Sequence, residues 1–175
     1  TGSEGTLVKR LKSLGCIILG KTHTVEFALG ATGLNKHKGT PKNPWDIQTH
    51  RFPGGSSSGS AVAVASGLAA FAVGTDTGGS VRIPASLTGI AGLKTTKGVW
   101  PTDGIFPLSP TLDTPGPLAR SLEDIKYIFN AYQSNLISEK KQMSLNGLTL
   151  AKLGSPFTDE LDVEVSIAYE SFCNE

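Results

Sequence analysis

Two stretches of glycine and hydroxyl residues are where this sequence could do chemistry. The first is Gly54-Gly55-Ser56-Ser57-Ser58-Gly59-Ser60; the second is Gly74-Thr75-Asp76-Thr77-Gly78-Gly79-Ser80, with Val81 and Arg82 behind it. A serine hydroxyl is a poor nucleophile at neutral pH, so attack on an amide needs a group that takes its proton and a pocket that holds the oxyanion. Thr77, Gly78, Gly79 and Ser80 can supply the pocket, because two glycines let consecutive N–H groups turn inward around a developing negative charge. Ser56 and Ser80 lie 24 positions apart, a separation that a helix and a return strand can fold back so that their hydroxyls meet. Asp76 and Arg82 form an opposite-charge pair behind the turn, and such a pair orients backbone more often than it reacts. Gly/Ser loops ahead of helices also bind phosphate. The first cluster lacks the GxxxxGK[ST] order, however, and the second does not fit a dinucleotide fingerprint.

The elements that must position these clusters can be read from periodicity. Ser58 to Leu68 is small and apolar all round, which predicts a helix packed closely on every side. Ala70–Val73 reads as a buried strand, Gly74–Ser80 as a tight turn and Ile90–Leu93 as another short strand. Upstream, Leu7, Val8, Leu11 and Leu14 recur at helical spacing, with Gly15 where a C-cap belongs. Cys16–Leu19 then reads as a strand buried on both faces. Residues 30 to 55, rich in Gly, Asn, Pro and Lys, read as a long exposed connection, and one of that length in a compact domain is usually functional. Pro101, Pro107, Pro110, Pro115 and Pro117 predict a loop region that stops at Ser121. There Ser121 is placed as N-cap of a helix with Glu123 and Asp124 in its first turn and Ile125, Ile128, Phe129 and Tyr132 on one face. Residues 134 to 147 read as a polar surface loop, Leu148–Leu153 as a strand and Asp162–Phe172 as a closing helix. Strands alternating with helices suggest an α/β sheet, and no repeat or linker divides the 175 residues, so a single domain over 1–175 is expected.

Composition narrows the partner. Sixteen basic and fifteen acidic residues give a net charge of +1 with no long run of either sign, which speaks against nucleic acid and anionic membranes and for a small, uncharged ligand. Cys16 and Cys173 are too few for a disulfide framework, and reduced thiols in a cytoplasmic protein are the simpler reading. His23, His37 and His50 show no metal-ligand spacing, so no metal or other cofactor is expected. No export signal or membrane span is visible. Thr1 to Gly5 read as a mid-protein loop without an initiator Met, and the end falls inside an apparent helix, so the domain is expected to be incomplete at both ends.

These motifs together resemble the amidase signature family. Its usual GGSSGGS stands here as Gly54 to Ser60, its GTDxGGSxRxPA as Gly74 to Ala85, its GLKPT-like strand as Gly92-Leu93-Lys94-Thr95-Thr96, and its GKTNxxEFA as Gly20 to Ala28. Similarity runs roughly from Leu7 to Val163, with the motifs in the family's order. The resemblance implies a mixed β-sheet core flanked by helices on both sides, of which this is a part. It also implies a Ser-cisSer-Lys triad. Carried over by position, Ser80 is the nucleophile and Ser56 the middle serine, in a cis peptide with Gly55. The Thr77, Gly78, Gly79 and Ser80 N–H groups are the oxyanion hole, Asp76 and Arg82 hold the loop, and Ser57 joins the network.

The sequence departs from the family at several points. The catalytic lysine belongs to an IKDN-like motif that is not present, and Lys21 and Lys94 match family positions other than that lysine; the stretch by itself is therefore expected not to turn over substrate efficiently. Ser58, His23 and Thr95 stand where glycine, asparagine and proline are usual. His23 is read either as lining the substrate entrance or as a surface or capping residue. Ser109 to Thr114 lacks the Asp-Gln pair typical of the transamidation subunit that modifies aminoacyl-tRNA. The expected function is hydrolysis of a linear carboxylic amide through an acyl-enzyme on Ser80, releasing ammonia or an amine. The alternatives are a non-catalytic, ligand-binding amidase-like fragment and an amidotransferase A-type subunit. A homodimer stays open.

Overall fold

The structure, a computed structural model, describes residues 3–133 and 146–174. The chain divides into two compact units, Thr1–Ile137 and Ser138–Glu175. The larger unit is built on three strands, β1 (Phe71–Asp76), β2 (Ala91–Gly92) and β3 (Thr114–Ala119), in the spatial order β1-β3-β2 with both pairings antiparallel. Helices pack on both faces. Phe71 and Val73 reach one core with Trp100, with Leu7 and Leu11 of α1 (Thr6–Ser13), and with Tyr132 of α4 (Leu122–Gln133). Leu118, opposite Ala72 in register, points to the other face. There it meets Ala61 of α2 (Ser58–Ala65), Ala85 of α3 (Arg82–Thr88) and Val81.

Local chemistry explains most of these elements. α1 buries Leu7 and Leu11. Its first turn is capped from a distance, by the Asp103 carboxylate accepting the Thr6 N–H at 2.8 Å. Ser121 caps α4 as expected, its Oγ accepting the Asp124 N–H at 3.0 Å. In α2 the small residues permit close approach: a Cβ at Gly59 would stand 2.5 Å from the His23 N. The segment around His23 runs against α2, with Gly59 N–H donating to His23 O at 2.9 Å and Val25 N–H to Ser56 O at 3.0 Å.

Four expectations need correction. Gly74–Asp76, read as the start of the tight turn, continue β1 and pair with β3, so the turn begins at Thr77. The run Cys16–Leu19 is no strand; Ile17 and Leu19 are 85% and 74% exposed. An apolar run reports a wish to be buried, whereas a strand also needs a ladder partner, and none of the described strands supplies one. Leu148–Leu153 likewise forms no strand. In the smaller unit the Tyr169 hydroxyl of α5 (Val163–Asn174) donates to Leu153 O at 3.0 Å, and Lys152 pairs with Glu170. Conversely, the proline-rich region holds β3, the middle strand. Pro117 O accepts the Leu93 N–H at 3.0 Å and Pro115 O accepts the Thr95 hydroxyl at 2.8 Å, so both prolines turn their hydrogen-less nitrogens to the same side. That is the side of β2, which pairs with β3 over only two residues, so the missing donors cost little ladder. The predicted loop at 134–147 lies, through residue 145, outside the described residues.

Candidate active site

The two clusters meet. Ser57 N–H donates to the Ser80 carbonyl oxygen at 3.2 Å, bringing the residue after Ser56 against the turn that carries Ser80. The Gly55–Ser56 peptide is cis, and Ser56 is 1% exposed. Gly55 N–H donates to Ala31 O at 2.7 Å, and a Cβ at Gly55 would stand 2.8 Å from Gly33 N, so the long 30–55 connection holds this peptide by backbone approach. Among the described residues no hydrogen bond joins the Ser56 and Ser80 hydroxyls; the junction is main chain.

Ser57 and Ser60 fasten the start of α2 to β1. Ser57 Oγ donates to Thr75 O at 3.3 Å and accepts the Thr75 N–H at 3.1 Å. Gly74 is required here, because its Cβ would fall 2.5 Å from that Oγ. Ser60 Oγ donates to Val73 O at 2.9 Å and lies 2.7 Å from Thr22 Oγ1. Thr22, Thr24, Ser57, Ser60 and Thr75 line a cavity of about 240 Å³ that neither Ser56 nor Ser80 reaches.

Asp76 organises the turn from inside. Fully buried, its carboxylate accepts Gly79 N–H at 2.8 Å, Val81 N–H at 3.2 Å, and Arg82 Nε and Nη2 at 3.0 Å each. Burial opposes ionisation, but the Arg82 hydrogen bond and the two N–H donors outweigh it and hold the carboxyl below its ordinary value. The Gly79 N–H, expected among the oxyanion donors, is instead committed to Asp76. Among the described residues the N–H groups of Thr77, Gly78 and Ser80 have no hydrogen-bond acceptor in the protein, and Gly78 is exposed with open space where a Cβ would lie.

Sequence reasoning overlooked a second carboxylate at this turn. Asp113, just before β3, accepts the Thr77 hydroxyl at 2.5 Å and the N–H groups of Leu108 and Ser109 at 2.9 and 3.0 Å. Burial again opposes ionisation, and these bonds, with Lys97 nearby, lower the Asp113 carboxyl all the same. The neighbouring Thr114 hydroxyl donates to Asp76 O at 2.8 Å. The signal was there only at the level of pairing: Thr114 lies opposite Asp76 in the ladder, which brings Asp113 beside Thr77.

Other expected or excluded residues lie apart from this junction. Lys94 Nζ donates to Thr95 O at 2.9 Å, Lys21 is exposed, and His37 pairs with Glu26 at 3.5 Å. Among the described residues no group of three or more His, Cys, Asp or Glu is placed to hold a metal ion, and no helix is long and apolar enough to cross a membrane. The hydroxyl of Ser58, the departure inside the first cluster, is buried without a hydrogen-bond partner.

The chain is similar to known proteins. The family described as Amidase matches residues 2–168. A 2-amino-5-chloromuconic acid deaminase of Comamonas testosteroni is 48% identical over 97% of the chain, and the A-type subunit of a glutamyl-tRNA(Gln) amidotransferase from Symbiobacterium thermophilum is 48% identical over 72%. A crystal structure of an amidase superposes over 97% of the chain with a TM-score of 0.79 at 36% identity. The chain spans 37%, 25% and 38% of the lengths of these three proteins.

Proposed function

This chain belongs to the amidase family, and from that premise we propose that it carries the nucleophile and oxyanion turn of an enzyme that hydrolyses a carboxylic amide C–N bond. Ser80 Oγ attacks the carbonyl carbon. Its proton passes through the Ser56 hydroxyl to an amine base, for which family resemblance supplies a lysine. The carbonyl oxygen, now an oxyanion, is held by the N–H groups of Thr77, Gly78 and Ser80, which have no protein acceptor beforehand, while the Gly79 N–H stays on Asp76. Collapse of the tetrahedral adduct expels ammonia or an amine with the proton returned to it, and water then releases the acid from the Ser80 ester. Asp76 and Arg82 keep the turn's shape, and Ser57 ties α2 to β1.

One observation carries this reading: the Ser57 N–H to Ser80 carbonyl bond of 3.2 Å, which brings the two serine-bearing loops to one place. An alkyl fluorophosphonate applied to the full-length protein tests it. Wild type should be labelled and Ser80→Ala should not; label retained in the variant rejects Ser80. Substrate choice is tested with linear aliphatic and aromatic amides, urea-derived amides and, because one relative is a 2-amino-5-chloromuconic acid deaminase, that acid as well.

The amidotransferase relatives support a second reading, in which the same acyl chemistry feeds ammonia to another acceptor. The stretch Ser109 to Thr114 weighs against it by resemblance, since it lacks the Asp-Gln pair typical of the transamidation subunit. Glutaminase activity that rises when a partner protein is added would favour the second reading.

A further inference from the structure

The Thr77–Ser80 turn is held at two points by two different carboxylates. Asp76 grips its far side through the Gly79 N–H, the Val81 N–H and Arg82. Nothing in that grip fixes Thr77, where the turn leaves β1 just after the last ladder pair, Asp76 opposite Thr114. Thr77 is fixed from across the sheet. Its hydroxyl donates to Asp113 Oδ1 at 2.5 Å, while the next residue of β3, Thr114, donates its hydroxyl to Asp76 O at 2.8 Å. Asp113 is itself immobilised: 6% exposed, it takes the N–H groups of Leu108 and Ser109 on its two oxygens, and Lys97 Nζ binds its carbonyl oxygen at 3.0 Å. A carboxylate with that many fixed donors is a rigid acceptor.

We propose that Asp113 is a positioning residue for the oxyanion turn, acting through the Thr77 hydroxyl to aim the first N–H donors of the turn at the reacting carbonyl. The inference rests on the reading above, that Ser80 is the nucleophile and this turn the oxyanion site. Its physical basis is that a donor helps only if it already points where the oxyanion will form. A displacement of about 1 Å is enough to cost roughly 100-fold in rate. Thr77 has no other side-chain anchor among the described residues, so losing the Asp113 bond frees the start of the turn while Asp76 still holds its end.

The test measures alkyl fluorophosphonate labelling of the full-length protein, recording the rate constant and the fraction finally labelled, since the phosphonyl oxygen occupies the oxyanion site. Thr77→Val keeps the shape and removes the donor; its labelling rate should fall about 10- to 100-fold with the final fraction unchanged. Thr77→Ser, which keeps the hydroxyl, should remain within about threefold of wild type. Asp113→Ala, which removes the acceptor of the Thr77 hydroxyl, should fall at least as far as Thr77→Val, and the double variant no further than Asp113→Ala, because the Thr77–Asp113 bond is already lost in either. A merely structural role would lower the final fraction and leave the rate constant alone, and Thr77→Val circumvents any failure of an Asp113 variant to fold. Labelling of Thr77→Val at the wild-type rate overturns the inference while leaving Ser80 in place. Label that survives in Ser80→Ala, or a wild type that takes none, rejects the reading itself and the inference with it.

Discussion

At the residue scale the turn after β1 is held by two buried carboxylates, Asp76 and Asp113, and this makes the failures of the proposed site distinguishable. Ser56 is buried beside the turn, and the relay assigns it a proton transfer in both acylation and its reversal. Ser56→Ala should slow acylation by about 100- to 10,000-fold, the usual worth of a positioned proton carrier, as read from the pre-steady-state burst. An unchanged burst rate excludes the relay. Asp76 fails differently. Asp76→Ala leaves the buried Gly79 and Val81 N–H groups without acceptors, so it should cost roughly 2 to 4 kcal/mol in denaturant melts as well as activity. Its pH signature follows from the lowered carboxyl. A group that titrates lower when folded than its ordinary 3.8 contributes stability that is fully present above that value and is lost as pH falls through the folded value. The stability gap between wild type and Asp76→Asn should therefore be constant near neutrality and shrink below pH 3.8. A gap that widens on acidification contradicts the assignment.

At the element scale, two glycines of the β1–turn segment separate packing from access. A Cβ at Gly74 would lie 2.5 Å from Ser57 Oγ and 3.1 Å from Leu118 Cδ1, whereas one at Gly78 would meet nothing within 4 Å. Gly74→Ala should thus destabilise by about 1 to 3 kcal/mol through overpacking. Gly78→Ala should leave the melting temperature nearly unchanged yet slow the reaction, because its methyl occupies the open side of the turn. Paired melting and labelling measurements check both. The elements differ in how far the sequence announced them. α1 and α4 were legible because helical period and caps are local signals, α2 because small apolar residues run all round it, and β1 as far as Val73 because of its apolar run. β3 was hidden by Pro115 and Pro117, which suit a middle strand only when their carbonyl side faces a partner as short as β2. Cys16–Leu19 shows the opposite failure, since its residues carry strand-forming composition but no described ladder. The Asp113–Thr77 bond joins residues 36 positions apart. No local pattern encodes it; the antiparallel register does.

At the scale of the whole molecule, the chain exposes side chains that folded proteins rarely leave in water. Ile17 is 85% exposed, Leu19 and Trp45 74%, and Phe106 72%, while Ile17, Ile18 and Leu19 follow one another in sequence. Contiguous apolar surface of this kind marks contact with further protein or a tendency to associate. The 175-residue chain prepared alone should therefore bind an anilinonaphthalene sulfonate dye strongly and self-associate; a chain that stays monomeric and takes up no dye contradicts this. Its chemistry should fail separately. A base must sit within hydrogen-bond reach of the proton it takes. Yet Lys94 Nζ is spent on Thr95 O and Lys97 Nζ on the carbonyls of Pro110 and Asp113. Among the described residues no lysine is hydrogen-bonded to Ser56, Ser57 or Ser80. With the turn intact but no lysine placed on it among the described residues, the chain alone should show no amide turnover under conditions where the full-length protein is active. Turnover at the full-length rate would place the base within these residues, and Lys21 and Lys94 would then be the first to replace.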